Sequence, residues 1–170
     1  MDFLRLARER YSCKKYSEKK ISREQLTAIL EAGRLAPTAR NLQEQHIYVV
    51  ESPENLAKID QVTPCRYGAQ TVLVVAYDSE NVYTYPGDAY TSGAEDATIV
   101  ATHMMLAAKS VGVESCWLNK FDPDELKELL GLADKEKIVM LLDLGFAAQG
   151  AGPLANHDKR KDLSETVTYL

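Results

Sequence analysis

The sequence predicts a fold of the α+β or α/β class, because helical and extended patterns both occur along the chain. Three helix starts, at Ser22, Ser52 and Asp122, precede apolar residues at helical spacing. Four apolar or β-branched runs are typical of strands: His46–Glu51, Thr71–Asp78, Val113–Asn119 and Ile138–Gly145. The 170 residues, 45% of them hydrophobic, suffice for one domain with a buried core, which we expect over residues 1–170.

Sequence signals mark the ends of the predicted helices. Ser22–Gln25 forms a capping box, and Pro37 ends the helix that this box opens. Proline follows Asp122 at the first helical position, and Gly131 ends that helix. The segment Asp96–Val111 carries apolar side chains on too many sides for a single stripe. We therefore expect a helix there that is buried almost all round.

Two segments have no regular pattern. The stretch Asp78–Ser92 contains Tyr83, Tyr85 and Tyr90, and a loop of that length in a compact domain is often functional, although the tyrosines could equally just pack the loop down. The charged tail ends in the β-prone residues Thr166–Leu170, which predict either a frayed end or a strand added to the sheet of another subunit.

Composition and motifs exclude several classes of function. The formal charge of -5, without a long like-charge block, does not favour nucleic-acid or membrane-surface binding. Three cysteines without C-x-x-C spacing, and no signal peptide or membrane-length apolar run, favour a soluble protein in the reducing cytoplasm. The chain lacks the common nucleotide-binding, zinc-protease and hydrolase motifs, and its three scattered histidines predict no metal site.

Four segments carry the polar groups that remain. In the first, Arg10, Ser12 and Lys14 alternate, so that an extended backbone would place all three on one side, where they could bind a phosphate. The second is the polar turn Leu35–Gln43 between a helix and a strand. The others are the strand end Ser115–Phe121, which contains the single tryptophan, and the basic run Lys159–Lys161. Taken singly, each could be an ordinary surface or core segment.

In order along the whole chain, these segments resemble the nitroreductase family of flavin enzymes. The stretch Arg10–Tyr16 matches the family's R-R-S-x-R-x-F/Y, and Glu31–Gln43 matches most of its E-x-A-R-x-A-P-S-x-x-N-x-Q-P-W. The stretch Leu106–Leu118 matches L-A-A-x-x-x-G-(L/I)-G-x-C-W-I-G. Leu144–Phe146 and Arg160–Leu163 match the family's L-G-Y/F strand end and its basic R-K-x-L pair.

The resemblance implies an α+β fold: a three-layer α/β/α sandwich with a mixed, mostly antiparallel sheet, a buried central helix and a C-terminal strand exchanged with the partner subunit. It also implies a homodimer with FMN at the subunit interface. NADH or NADPH would pass a hydride to flavin N5, and the flavin would then reduce a small electron-poor acceptor such as a nitroaromatic or a quinone by a ping-pong mechanism.

The same resemblance implies roles for particular residues, none of them as a catalytic acid or base. Arg10 and Ser12, with Tyr11 between them, would hold the FMN phosphate together with Arg160 or Lys161. Lys14 would lie near flavin N1 and O2 and support the negative charge that collects there on reduction. The turn residues of the partner subunit would approach the flavin ring: Pro37, Thr38, Ala39 and Asn41. The backbone beside flavin N5 would be that of Leu118, Asn119 and Lys120.

The sequence departs from the family pattern at several of these positions. Tyr11 and Lys14 stand where the family has arginines, Glu44–Gln45 replaces Pro-Trp, and Asn119–Lys120 replaces a glycine. The chain also lacks the helical insertion that roofs the pocket in larger members. Three alternatives stay open: a flavin-binding redox sensor or storage dimer with little turnover, a different flavin reaction such as reductive dehalogenation or flavin breakdown, and a small-molecule binding domain without flavin.

Overall fold

A computed structural model describes residues 2–170. The helices are α1 (Phe3–Glu9), α2 (Arg23–Arg34), α3 (Pro53–Val62), α4 (Gly93–Ser110), α5 (Pro123–Leu130) and α6 (Leu163–Thr166). The strands are β1 (Gln45–Val50), β2 (Thr71–Asp78), β3 (Glu114–Leu118) and β4 (Glu136–Gly145). All four predicted strands and the three predicted helix starts at Ser22, Ser52 and Asp122 are therefore confirmed.

Local side-chain bonds explain where the helices begin. The Ser22 hydroxyl accepts the backbone N–H of Gln25, and the Gln25 side chain accepts the backbone N–H of Ser22, which completes the capping box before α2. The Asp122 carboxylate accepts two backbone N–H groups at the start of α5. Gly131 ends α5 in the left-handed conformation, at φ 68°, which glycine adopts without strain.

The four strands form one sheet in the order β1-β2-β4-β3, and each neighbouring pair is antiparallel. The central pair aligns Leu73 with Leu142 and has an irregularity between Val75 and Ala76. Beside β3, an isolated bridge joins Ser12 to Ser115 in parallel orientation. This bridge attaches the segment that follows α1 to the edge of the sheet.

Helices cover both faces of the sheet, as the three-layer architecture requires. On one face, α2 and α4 pack against Leu73, Val75, Met140 and Leu142. On the other, α3 and α5 pack against Val72, Val74 and Leu141 together with β3 residues. Within residues 2–170, no helix is both long and apolar enough to cross a membrane.

Two expectations need correction. Helix α4 begins at Gly93, three residues before Asp96, and it buries one stripe of side chains only, because Ile99, Met105 and Leu106 stay partly exposed. The sheet and α2 cover one side of the helix, α1 contacts part of the rest, and the remaining side chains face outward within a single chain. The tail places Leu163–Thr166 in a short helix, so that Thr166 belongs to α6 and not to a strand. Strand exchange by the residues beyond it stays a prediction.

Candidate functional site

A cavity of about 200 Å³ lies between the segment that follows α1 and the segment that precedes α6. We call it the terminal cavity; its lining residues are Arg10, Tyr11, Ser12, Leu154, Asn156, His157 and Arg160. The predicted alternation is confirmed, because Tyr11 and Cys13 are buried whereas Arg10 and Ser12 are partly exposed. The cavity thus brings together two guanidinium groups and a hydroxyl from opposite ends of the chain.

The tail that completes the terminal cavity is held by its own contacts. A ring nitrogen of His157 lies 2.9 Å from the Arg8 carbonyl oxygen, and the ring meets Tyr11 edge to face at 6.4 Å between centroids. The Arg160 guanidinium donates to the carbonyls of His157 and Lys159. Burial raises the pKa of Tyr11 to about 12, so the phenol is neutral and adds no negative charge. The donors suit an anionic group such as a phosphate.

The structure distinguishes between the two basic residues predicted for this place. Arg160 lines the terminal cavity, whereas Lys161 is absent from its lining. Sequence reasoning missed Leu154, Asn156 and His157, and only the folding back of the tail brings them to the cavity. This segment has no periodic pattern of apolar residues that would indicate the fold-back.

A second group of cations lies beside the loop between α3 and β2. The Lys14 Nζ atom is 5.9 Å from the centroid of the Tyr67 ring. Hydrogen bonding to Tyr67 lowers the pKa of the Cys65 thiol, and the charges of Lys120 and Lys14 act in the same direction. We call these four residues the lysine patch. Its two ammonium groups can stabilise negative charge on a bound molecule.

Cys65 and Tyr67 were not among the predicted site residues. Cys65 is partly exposed, whereas Cys116 is buried and its pKa is raised to about 12 by that burial. Tyr67 adopts a left-handed φ of 52°, which is uncommon for a bulky residue and marks a special backbone position. No residue pattern in the sequence indicates that conformation.

The segment Leu118–Lys120 leads from β3 toward the lysine patch. Leu118 is buried, and the Asn119 side chain accepts from the Trp117 indole and donates to the Val139 carbonyl at 3.1 Å. Neither Asn119 nor Lys120 has a positive φ. The residues that replace the family's glycine therefore need no left-handed backbone, and Asn119 directs its amide toward the sheet.

The polar turn between α2 and β1, residues 38–43, has a strained backbone. Arg40, Asn41 and Gln43 have positive φ values of 53°, 56° and 54°, a conformation that costs non-glycine residues energy and is frequent at functional sites. The Thr38 hydroxyl oxygen accepts the Gln43 backbone N–H at 3.0 Å, and the Asp96 carboxylate accepts that of Ala39. Of the predicted residues, Ala39 is thus bound to the first turn of α4, and Thr38 and Asn41 are joined to each other within the turn.

The loop between β2 and α4, which carries Tyr83, Tyr85 and Tyr90, forms a second cavity against this turn. The cavity, of about 520 Å³, is lined by Arg40 and Leu42 and by residues 80–86 and 88. The Arg40 guanidinium lies 4.6 Å from the centroid of the Tyr83 ring, which meets Tyr85 edge to face. This loop cavity and the terminal cavity share no lining residue. Within one chain, the predicted contacts of the 38–43 turn and those of the terminal cavity therefore form separate groups.

Comparison with known proteins gives this geometry a context. The model of the nitroreductase family matches two overlapping stretches, residues 7–67 and 64–146. A relative from Archaeoglobus fulgidus is named an NADH dehydrogenase/NAD(P)H nitroreductase; it is 31% identical over 153 residues, which cover 84% of each chain.

Solved structures agree with the sequence comparison. A nitroreductase family protein from Clostridium difficile 630 superposes with a TM-score of 0.93 at 34% identity and covers 99% of this chain and 98% of its own. A nitroreductase from Exiguobacterium sibiricum, solved in complex with FMN, superposes with a TM-score of 0.86 at 22% identity, over 100% and 98% of the two chains. The latter likeness concerns the fold.

Proposed function

Because the chain belongs to the nitroreductase family, we propose that it is an FMN-dependent oxidoreductase that uses NADH or NADPH to reduce a small electron-poor acceptor. When bound, FMN supplies the carrier that takes a hydride from the nicotinamide and passes it to the acceptor. The observation that carries this proposal is the meeting of Arg10, Ser12 and Arg160 at the terminal cavity. The three free cysteines are compatible with the reducing cytoplasm that we propose as its location.

The residues present fit the chemistry of this cofactor. Arg10 and Arg160 offer guanidinium donors, and Ser12 offers a hydroxyl, to a phosphate in the terminal cavity. Lys14 of the lysine patch lies on the same extended segment, two residues beyond Ser12, and its ammonium group would support negative charge on a flavin ring. We assign Lys161 no direct phosphate contact. The backbone of Leu118–Lys120 would line the ring beside Lys14.

We propose that the active protein is a homodimer. An apolar face with a cavity of about 390 Å³ runs along α1 and α4, where Phe3, Leu6, Leu106 and Ala107 are among the lining residues. Phe3 and Leu4 are 63% and 61% exposed in the single chain. In such a dimer, the 38–43 turn of one subunit would approach the lysine patch of the other. That arrangement would join two groups that lie apart within one chain.

The test is the visible spectrum of the purified protein, before and after heat release of any ligand, followed by anaerobic addition of NADH or NADPH. We expect a yellow protein that releases FMN on heating and bleaches with the nicotinamide donor. A yellow protein that stays oxidised would favour a redox sensor or storage dimer. A colourless protein that takes up no added FMN would refute the proposal.

A further inference from the structure

Three buried polar side chains meet behind the 38–43 turn. Glu44, Ser92 and Asp96 are only 3%, 0% and 4% exposed. The Ser92 Oγ atom donates to Glu44 Oε1 at 2.9 Å, and the two Asp96 carboxylate oxygens lie 3.0 and 3.1 Å from the Ala39 nitrogen. The second Glu44 oxygen, Oε2, is buried without a hydrogen-bond partner among the residues described. A carboxylate oxygen in that position would be costly, whereas a protonated one can donate.

The surroundings determine which of the two acids carries the proton. Burial raises the pKa of Glu44, and the neighbouring Asp96 raises it further. Asp96 lies in the first turn of α4, where the helix dipole favours a negative charge, and it accepts the Ala39 N–H. The burial of the two side chains therefore favours a proton on Glu44 over two charged carboxylates side by side.

Other charged and titratable side chains near the pair have partners of their own. The charge of Asp96 raises the pKa of Glu44. The neighbouring contacts are Asp78 with Lys135, Tyr85 with Glu95, Arg40 with Tyr83, and His46 with Glu136. The Tyr77 ring packs against Gly93 at the start of α4. Loss of the shared proton is therefore the titration that would affect the contact between the turn and α4.

We infer that Glu44 is a positioning residue whose protonated carboxyl, shared with Asp96, holds the 38–43 turn against α4 in the conformation that reaches the flavin of the partner subunit. This inference depends on the proposed function. The turn contains three residues in the left-handed region, and such a backbone persists only where its surroundings hold it. When the shared proton is lost, two adjacent carboxylates repel each other, and the Ala39 contact loosens.

The first test compares Glu44→Gln with the wild type over a range of pH. Glutamine keeps the size and can donate to Asp96, but it cannot ionise. We expect the rate of flavin reduction by NAD(P)H to fall at alkaline pH in the wild type and to stay flat in Glu44→Gln. Glu95→Gln, in the same helical turn but exposed, is the matched control and should follow the wild type. An equal alkaline fall in Glu44→Gln and the wild type would overturn the inference.

The second test needs no cofactor. The protection of the Ala39 amide against hydrogen exchange, measured by NMR on the FMN-free protein, should drop at alkaline pH in the wild type and not in Glu44→Gln. Protection that changes equally in both proteins would contradict the role of Glu44. A wild type that binds no FMN would instead refute the proposed function, and the exchange measurement would still judge the carboxyl pair.

The last variant removes the Glu44 carboxyl altogether. Glu44→Ala should slow flavin reduction about tenfold at neutral pH, because a displaced turn misplaces the reacting groups. It should leave FMN affinity less affected, since the phosphate contacts lie at the terminal cavity. A Glu44→Ala protein with wild-type reduction rates would show that the turn needs no support from this pair.

Discussion

The positive charges of the candidate site divide between two places, and the division gives individual residues different consequences. Arg10 and Arg160 line the terminal cavity, whereas Lys14 and Lys120 belong to the lysine patch. A charge beside a phosphate contributes mainly to affinity. A charge beside the flavin ring contributes mainly to the reduction potential. Arginine variants should therefore change mainly the affinity for FMN, and lysine variants mainly the reduction potential of the flavin.

Arg10→Ala should weaken FMN binding by roughly 10- to 100-fold, because a charge-assisted hydrogen bond contributes about 1.5–3 kcal/mol. Fluorescence titration of the FMN-free protein measures the effect. Arg8→Ala, a charge-equivalent change on α1, is the control and should bind FMN as the wild type does. Equal affinity of Arg10→Ala and Arg8→Ala would remove Arg10 from the phosphate site.

Lys14→Ala should lower the reduction potential of the bound flavin by about 30 mV or more, which corresponds to about 1.4 kcal/mol for a two-electron couple. Reduction by NAD(P)H should slow accordingly. A spectroscopic redox titration against a reference dye gives the potential. Lys15→Ala is the control, because the Lys15 ammonium contacts the Gln149 carbonyl instead. An unchanged potential in Lys14→Ala would exclude the proposed role.

The alternating burial of residues near the start of the chain was predictable because strand geometry has a period of two. Arg10, Ser12 and Lys14 alternate with Tyr11 and Cys13, and the structure buries the second set. His157 was not predictable, because its place depends on where the tail folds back. The complete burial of Asp143 on β4 was not predictable either, since a strand pattern does not show that both faces of the sheet are covered at that position.

At the scale of elements, α4 connects the site to the core. Its first turn carries Asp96, which binds the 38–43 turn, and its middle packs against α2 and the sheet. Close approach of β2 at this end requires Gly93, because a Cβ atom there would overlap the Tyr77 ring. A small displacement of this helix end would therefore reach the turn.

Gly93→Ala should destabilise the protein by about 1–3 kcal/mol through overpacking and should also slow flavin reduction. Urea denaturation at neutral pH measures the first effect. Gly152→Ala is the control, since a Cβ atom at that position meets nothing within 4 Å. A Gly93→Ala protein as stable as Gly152→Ala would show that the Tyr77 ring moves aside without cost.

Capped helices were the most predictable elements, because the signals are local. Ser22, Ser52 and Asp122 each accept a backbone N–H at the predicted helix start. The burial of α4 was overpredicted, because apolar residues cannot tell a core contact from a surface that a second subunit would cover. The left-handed residues of the 38–43 turn carry no sequence signal of the kind that glycine gives.

At the scale of the whole molecule, a buried acid sets a dependence of stability on pH. Asp143 is fully buried on β4, and neither carboxylate oxygen has a hydrogen-bond partner among the residues described. Burial raises its pKa from 3.8 to about 9, although the Arg66 charge opposes the shift. Between these values the folded protein keeps a proton that the unfolded chain releases. Stability should therefore fall as pH rises through this window.

Asp143→Asn should flatten that dependence, because the amide has no proton to lose. Between pH 5 and pH 8, the wild type should lose about 1.4 kcal/mol or more of its free energy of unfolding relative to the variant, the equivalent of one pKa unit. Denaturant unfolding at several pH values gives the comparison. The titration of Glu44 changes the stability of the wild type and of Asp143→Asn in the same direction, so it cancels in the comparison. Asp134→Asn, in an exposed turn, controls for the change of charge. Parallel pH curves would contradict the assignment.

The terminal cavity also bears on how the protein is made. Residues 10–12 leave the ribosome early, whereas residues 154–160 emerge only after every strand of the sheet. Domains begin to fold during synthesis, so the sheet can assemble while the phosphate side is still incomplete. Cofactor loading should therefore follow translation of the tail, and a nascent chain arrested near residue 150 should fold its sheet yet retain no FMN.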